Sequence, residues 1–413
     1  MNSVAETVYD VVIVGGSIAG CIAALCYAER GLRVMVLERK QKPTDYKVLC
    51  THFVQPIAYP TLTRLGLHQR FEVNGAVQTK AAYWTRAGWI DPPGEYSSQF
   101  NGTSGHAYNI ERRVLDPLLR AELKRFSNIE FRLGHRVVAA HHSGAAWQLD
   151  AVASTNEMTR FHGSLLVAAD GRGSPVASFL GNPTISHENE RAAHFCYFSG
   201  VSNTENNRSL FLLNDSDMGF VYPLSGNRTL LAAYIHKAGR RGLARGLCTI
   251  TELIEFFTDL PDRPDLSGAF ALGKVLGYID YPNLARNPVW HGAAFCGDAA
   301  LSLDPMSGVG CGFAIVSAEL LVESTWRALQ EQGDLGAALQ TYKSAFNTLF
   351  SPHAYGIRAD SLVAKSSEAV RRTYARIIAD SDLQHEFIAL TGRLITPTQF
   401  QRAYLGSLKR VNV

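Results

Sequence analysis

Residues Tyr9 to Glu38 constrain the fold more than any other part of the chain. Tyr9 to Val14 (YDVVIV) is a short β-branched apolar run, the pattern of a strand buried on both faces. It leads into Gly15-Gly16-Ser17-Ile18-Ala19-Gly20 and a small-residue helical stretch, Cys21 to Arg30, that stops at Gly31. A second apolar strand, Arg33 to Leu37, ends in Glu38. Strand, helix and strand in this space predict a parallel βαβ unit. Gly15 permits a tight turn, Gly20 lets the helix pack on the strand, and the N–H groups of Ser17, Ile18 and Ala19 open toward a pyrophosphate. Ser17 stands where the usual middle glycine would be, narrowing the gap for phosphate without closing it. Glu38, followed by Arg39, lies where a carboxylate accepts hydrogen bonds from an adenosine ribose. Together these features predict a dinucleotide site.

Composition excludes several alternatives. A chain of 413 residues with 46% hydrophobic and 19% charged residues has enough apolar surface to fold, and its length suggests two or three domains. Lys plus Arg number 40 against 37 Asp plus Glu, so no strong basic field points to nucleic acid. The densest basic cluster, Arg240-Arg241 with Arg245, has no interleaved aromatics and reads as a solvated loop. No run reaches the roughly 18 apolar residues that span a bilayer. Met1 to Asp10 lacks the basic start and apolar core of a signal peptide. The seven cysteines form no CxxC pair and read as reduced thiols of a cytoplasmic protein. The histidines show no HExxH or Cys/His cluster, and no metal is expected.

Further along, Pro60 to Leu67 and Arg113 to Arg125 read as helical, Ala76 to Ile90 as sheet, and Val137 to Ala153 as a hairpin. From His194 to Ile235 four strands follow one another with Asn-, Ser- and Gly-rich turns. Ala293 to Cys296 is another buried strand, followed by a glycine-rich loop and a helix through Arg327; the last eighty residues are mostly helical. A βαβ unit opens the chain, a β-rich block interrupts it, and a strand–loop–helix returns, so one domain is built from separate pieces. Two segments narrow the choice of dinucleotide: Val167 to Ser174 (VAADGRGS) and Phe295 to Gly312 (FCGDAALSLDPMSGVGCG). Asp298 after Gly297 can accept from ribityl hydroxyls. Beyond Pro305, the helix entered through Gly308, Gly310 and Gly312, with Cys311 among the expected cofactor contacts, can turn its positive end to the pyrimidine side of a flavin.

These segments resemble the FAD-dependent monooxygenases of the p-hydroxybenzoate hydroxylase type, a superfamily shared with geranylgeranyl reductases and flavin-dependent halogenases. GGSIAG is similar to the family's first glycine motif, ADGRGS with Asp170 to its DG motif, and CGDAA…DP..GVG to its GD motif. Arg112-x-x-Leu115-x-x-x-Leu119 is similar to the arginine-led helix beside the flavin, and the resemblance runs from about Tyr9 to Arg327. It implies an α/β chain: a doubly wound FAD-binding (Rossmann-like) domain with an inserted mixed β-sheet substrate domain and a helical C-terminal section. The expected boundaries are 1–75, 105–185 and 285–330 for the FAD-binding domain, 76–104 and 186–284 for the substrate domain, and 331–413 for the helices.

The resemblance also implies FAD, NAD(P)H as transient reductant, dioxygen, and hydroxylation of an aromatic or polyketide-like molecule through a flavin C4a-hydroperoxide. It names no catalytic side chain. Phe220, Tyr222 and Pro223, on a strand that reaches the flavin in the family, and His52, before the helix at Pro60, are the expected substrate contacts; core packing explains each of them as well. Leu301 replaces a histidine common in the hydroxylases, and Asp304-Pro305 is closer to the reductases and halogenases. The halogenase WxWxIP segment is absent, and Lys80, at a place similar to the halogenase lysine, is expected as a solvated surface charge.

Overall fold

A computed structural model describes residues 8–100, 104–144, 146–202, 207–238, 248–260, 262–363 and 367–410. The Arg240-Arg241 and Arg245 cluster lies outside them. Strand β1 (Val8–Val14) leads to helix α1 (Ile18–Glu29) and strand β2 (Val34–Glu38). β1 pairs in parallel with β2 on one side and with strand Met158–Ala168 on the other. β2 continues in parallel to Ile129–Leu133, while the hairpin His135–His142 and Trp147–Ala153 extends the opposite edge. The returning strand Ala293–Phe295 joins beside Val167 and Ala168. Val11, Val12 and Ile13 have no exposed surface, as β-branched residues covered on both faces should; each such side chain contributes about 1.5–3 kcal/mol by burial. α1 is apolar on all sides because it is sandwiched between this sheet and a long late helix.

A ten-stranded sheet forms the second body. Arg191–Ser199, Arg228–His236, Asp217–Leu224 and Arg208–Asn214 run antiparallel in that spatial order, and Val77–Thr85 then joins in parallel. The short strands Ala107–Asn109 and Phe53–Val54 complete its edge. Side chains alternate along the strands: Phe211, Phe220 and Tyr222 face one cluster, while Leu212 and Val221 face another under helix Ile250–Thr258. The first cluster is roofed by the C-terminal helices.

Lys80 differs from the expectation. It is 4% exposed, and its ammonium donates to the carbonyls of Pro92 and Gly94 and pairs with Asp91 at 3.3 Å. Burial lowers its pKa. The loop after Gly88–Ile90 folds back over the strand and buries the stem, which a local reading of one strand cannot show.

Candidate flavin cleft and the cavity beside it

The cofactor cleft is built from the turn after β1. Gly15 has φ +110°, and a Cβ there would sit 2.3 Å from the carbonyl oxygen of Ala169. At Gly20 a Cβ would meet the carbonyl oxygen of Gly15 at 1.8 Å, so helix and turn touch backbone to backbone. α1 begins with no side-chain cap and no acidic residue in its first turn, leaving its first N–H groups without a local acceptor. Glu38 is buried, with one carboxylate oxygen accepting from the N–H of Gly16 (2.7 Å) and the other from that of Lys40 (2.9 Å). Arg39 beside it is exposed at the rim.

Helix α2 (Arg112–Glu122) braces the turn with residues four apart on one face. Arg112 donates through Nε and Nη2 to Asp116 at 2.8 and 3.0 Å, and through Nη2 to the Ser17 hydroxyl at 2.8 Å. Arg120 donates to the carbonyl oxygen of Gly16 at 2.8 Å. Asp170 accepts from the Ser174 hydroxyl and the Val176 N–H, which locks its own turn; burial raises its pKa. Opposite α1, helix α3 (Gly310–Gln330) starts with no side-chain cap and no acid in its first turn. Two uncapped helix N-termini thus open on one cleft of about 770 Å³.

Gly15, Ser17, Ile18, Ala19, Glu38, Arg39, His52, Arg112, Asp170, Asp298, Pro305, Gly308, Gly310 and Cys311 all border that cleft. Gly20 stands behind it as the contact point of helix and turn, and Gly297 packs against Ala19. These groups suit FAD: two positive helix ends that donate to phosphate and flavin, and a carboxylate that accepts from the ribose. Asp298 carries an ion pair with Lys47 at 2.9 Å, which raises the lysine's pKa. Nothing in the sequence signals Lys47, whose partner is 251 residues away. Arg172, stacked 4.0 Å above the Tyr281 ring, is a second cleft residue outside the expected set.

His52 is held in left-handed backbone (φ 70°). Its Nδ1 accepts from the N–H of Arg112 at 3.1 Å, so the neutral ring carries its proton on Nε2, which donates to the Tyr197 hydroxyl. Cys50 and Cys311 face each other with sulfurs 3.9 Å apart. The Cys311 thiol donates to Cys50, and His52 and Arg112 add to this, holding the Cys50 pKa well below the usual thiol value. The other six cysteines are shifted upward, Cys311 chiefly by Cys50 and the rest by burial. With FAD removed, Cys50 is expected to be the first of the seven to react with iodoacetamide at neutral pH, because the thiolate is the nucleophile. Peptide mass mapping of a time course checks this; earlier labelling of Cys248 would contradict it.

Beyond the cleft, sharing Phe53 and Gly308 with it, lies a cavity of about 300 Å³. Sheet residues Ala81, Tyr83, Phe211 and Met218 form one wall. The other comes from α4 (Leu335–Leu362), α5 (Ser367–Ile378), α6 (Ser381–Thr391) and the start of α7 (Pro397–Arg410). Phe220 and Tyr222 are fully buried and line neither space; they pack behind Phe53 and Phe211, with ring centroids 4.7 to 5.6 Å apart. Pro223 gives its carbonyl to Asn109 at 3.0 Å and also stays outside both. Of the four expected substrate residues, only His52 reaches the cleft.

The family described as FAD binding domain matches residues 8–246, more than half of the chain. The chain belongs to this FAD-binding family. Among relatives in the same superfamily, it is 24% identical over 348 residues to digeranylgeranylglycerophospholipid reductase 2 of Methanococcoides burtonii, covering 81% of this chain and 79% of that one. Its fold is shared with p-nitrophenol 4-monooxygenase PnpA from Pseudomonas putida DLL-E4 (TM-score 0.77, 17% identity, 95% and 99% of the two chains). The flavin-dependent brominase Bmp2 shares it too (TM-score 0.75, 18% identity, 98% and 100%). The FAD-binding family is one of oxidoreductases, and this member is an FAD-dependent enzyme. Among the described residues, no helix is long and apolar enough to cross a membrane.

Proposed function

We propose that the protein is an NAD(P)H-driven monooxygenase acting on a compact aromatic or polyketide-like molecule. The observation that carries this reading is the aromatic-lined cavity of about 300 Å³ that meets the flavin cleft at Phe53 and Gly308. FAD, when bound, supplies the electron transfer from NAD(P)H and the activation of dioxygen. The chain supplies the rest. Tyr83, Phe211 and Phe387 offer ring faces and edges to a flat ligand. α4 to α7 close the cavity from above and keep water from the reacting centre. His52 keeps a proton on Nε2 at the cleft wall, against Tyr197, whose hydroxyl burial makes harder to ionise.

A reductase of isoprenoid or other double bonds is the second reading, favoured by the archaeal relative. The cavity is small for a lipid tail, at the bottom of the roughly 300–1,000 Å³ range of ligand pockets. Asp304, which in the sequence leaned toward the reductases, has a packing role: it accepts from Arg191 (2.6 Å), Asn189 and the Met306 N–H. A halogenase would need a lysine at the end of a channel from the flavin, and the Lys80 ammonium is spent on the Asp91–Gly94 loop. Under air, NAD(P)H oxidation is expected to rise with an aromatic substrate, with one oxygen atom from labelled dioxygen appearing in the product. Substrate-stimulated oxidation that proceeds without oxygen and saturates a double bond would replace this reading with the reductase, and halide incorporation with the halogenase.

A further inference from the structure

The cavity has a polar end that its aromatic walls do not explain. Arg393 follows Gly392 at the end of α6 in left-handed backbone (φ 63°), which turns the chain back toward the sheet. Its Nη2 donates to the carbonyl oxygen of Ser307 at 3.1 Å, while its buried Nε has no partner. Among the described residues, no carboxylate lies within ion-pair distance of it. Asp360, the one acid whose charge is felt at Arg393, pairs with Arg191 at 2.9 Å, and Asp304 pairs with Arg191 at 2.6 Å. Arg191 also borders the cavity, and its Nε too is buried and unpartnered.

His353 on α4 completes the group. It is 1% exposed, borders the cavity, and has neither ring nitrogen hydrogen-bonded. Burial, with Arg393 nearby, pushes its pKa down to about 3, so the ring is neutral and adds no second charge beside Arg393. Burial also lowers the pKa of the half-buried Arg393, and Tyr83 and Asp360 offset this only in part. A buried polar group left without a partner is unfavourable, and a cation more so, unless a ligand brings the missing acceptor.

We infer that the cavity takes a ligand with an anionic oxygen (a carboxylate, phenolate or enolate), held by Arg393 beside the neutral His353, and an apolar ring body lying among Phe53, Phe211 and Phe387. This rests on the reading above that the cavity receives the substrate, and it adds the charge class of that substrate. Arg393 is then a specificity-determining residue. Its guanidinium matches a planar oxyanion through directed N–H groups, as an ammonium would not.

The test is calorimetric titration of the FAD-loaded protein with 2-naphthoate and with 2-naphthamide, which share a shape and differ in charge. Naphthoate is expected to bind about tenfold tighter or more, the range for hydrogen bonds to a charged group. Arg393→Gln removes that preference and leaves naphthamide within about twofold, while Arg393→Lys keeps part of it. Flavin absorbance verifies that each variant is loaded. Met218→Trp, which fills the cavity, abolishes binding of both probes. Equal affinities in the wild type, or no naphthoate binding, overturn the inference, and this comparison decides even where a variant fails to fold. If Met218→Trp blocks both probes while Arg393→Gln changes neither, the anion site falls and the cavity reading stands. If both probes still bind to Met218→Trp, the cavity is not the site and both fall.

Discussion

Gly20→Ala is expected to yield a protein that carries no flavin. The smallest possible side chain already places its Cβ 1.8 Å from the Gly15 carbonyl oxygen. That neighbour is backbone, and Gly15 is itself fixed by φ +110° and by the wall at Ala169. α1 has to slide away from the turn, taking with it the N–H groups expected to face the pyrophosphate, and the overpacking alone costs about 1–3 kcal/mol. The ratio of flavin to protein absorbance after purification measures the loss, with circular dichroism to establish that the chain has folded. A folded variant with stoichiometric FAD would mean that this turn does not carry the phosphates.

Glu38→Ala is expected to weaken FAD binding about ten- to hundredfold, corresponding to roughly 1.5–3 kcal/mol for hydrogen bonds to a charged acceptor. The structure gives the loss two sources. One carboxylate oxygen accepts from the N–H of Gly16 and the other from that of Lys40, so the side chain ties the glycine turn to the end of β2. Whatever lone pairs remain face the cleft, where the ribose is expected. Glu38→Gln separates the two, because the amide keeps one acceptor for a backbone N–H and loses the charge. Equilibrium dialysis of FAD against the apoproteins measures each, and an unchanged dissociation constant for Glu38→Ala would remove this residue from the site.

The parts of the molecule legible in the sequence are those fixed by neighbours in the chain. The turn from Gly15 to Gly20 and the acid at Glu38 fall within one βαβ unit, whose spacing is dictated by helix and strand rise. The four strands from Arg191 to His236 are legible because their apolar runs and the turn residues between them are local. Which face of such a strand meets a ligand is not local. Phe220 and Tyr222 do point to the cavity side, but Phe211 and, over Tyr222, Phe53 from a two-residue strand far upstream pack between them and the cavity. The ion pair of Lys47 with Asp298, the burial of Lys80 under its loop and the cavity wall made by α4 to α7 depend on docking of distant segments. Arg393 and His353 carried no motif at all. Their signal is the absence of a partner once everything around them is in place, which only three dimensions reveal.

Placing β1 ahead of the ten-stranded sheet and the helix that covers α1 behind it also orders events during synthesis. β1 and α1 emerge from the ribosome before the ten-stranded sheet, yet the strand Ala293–Phe295 and α3, against which α1 packs, arrive only after the whole of that sheet. Until then the apolar face of α1 has no permanent cover, and the cleft has one wall. Contacts this distant in sequence close slowly and leave a sticky intermediate. The nascent chain is therefore exposed to misassembly while the ten-stranded sheet is being made, and the cofactor can be captured only once α3 has followed that sheet.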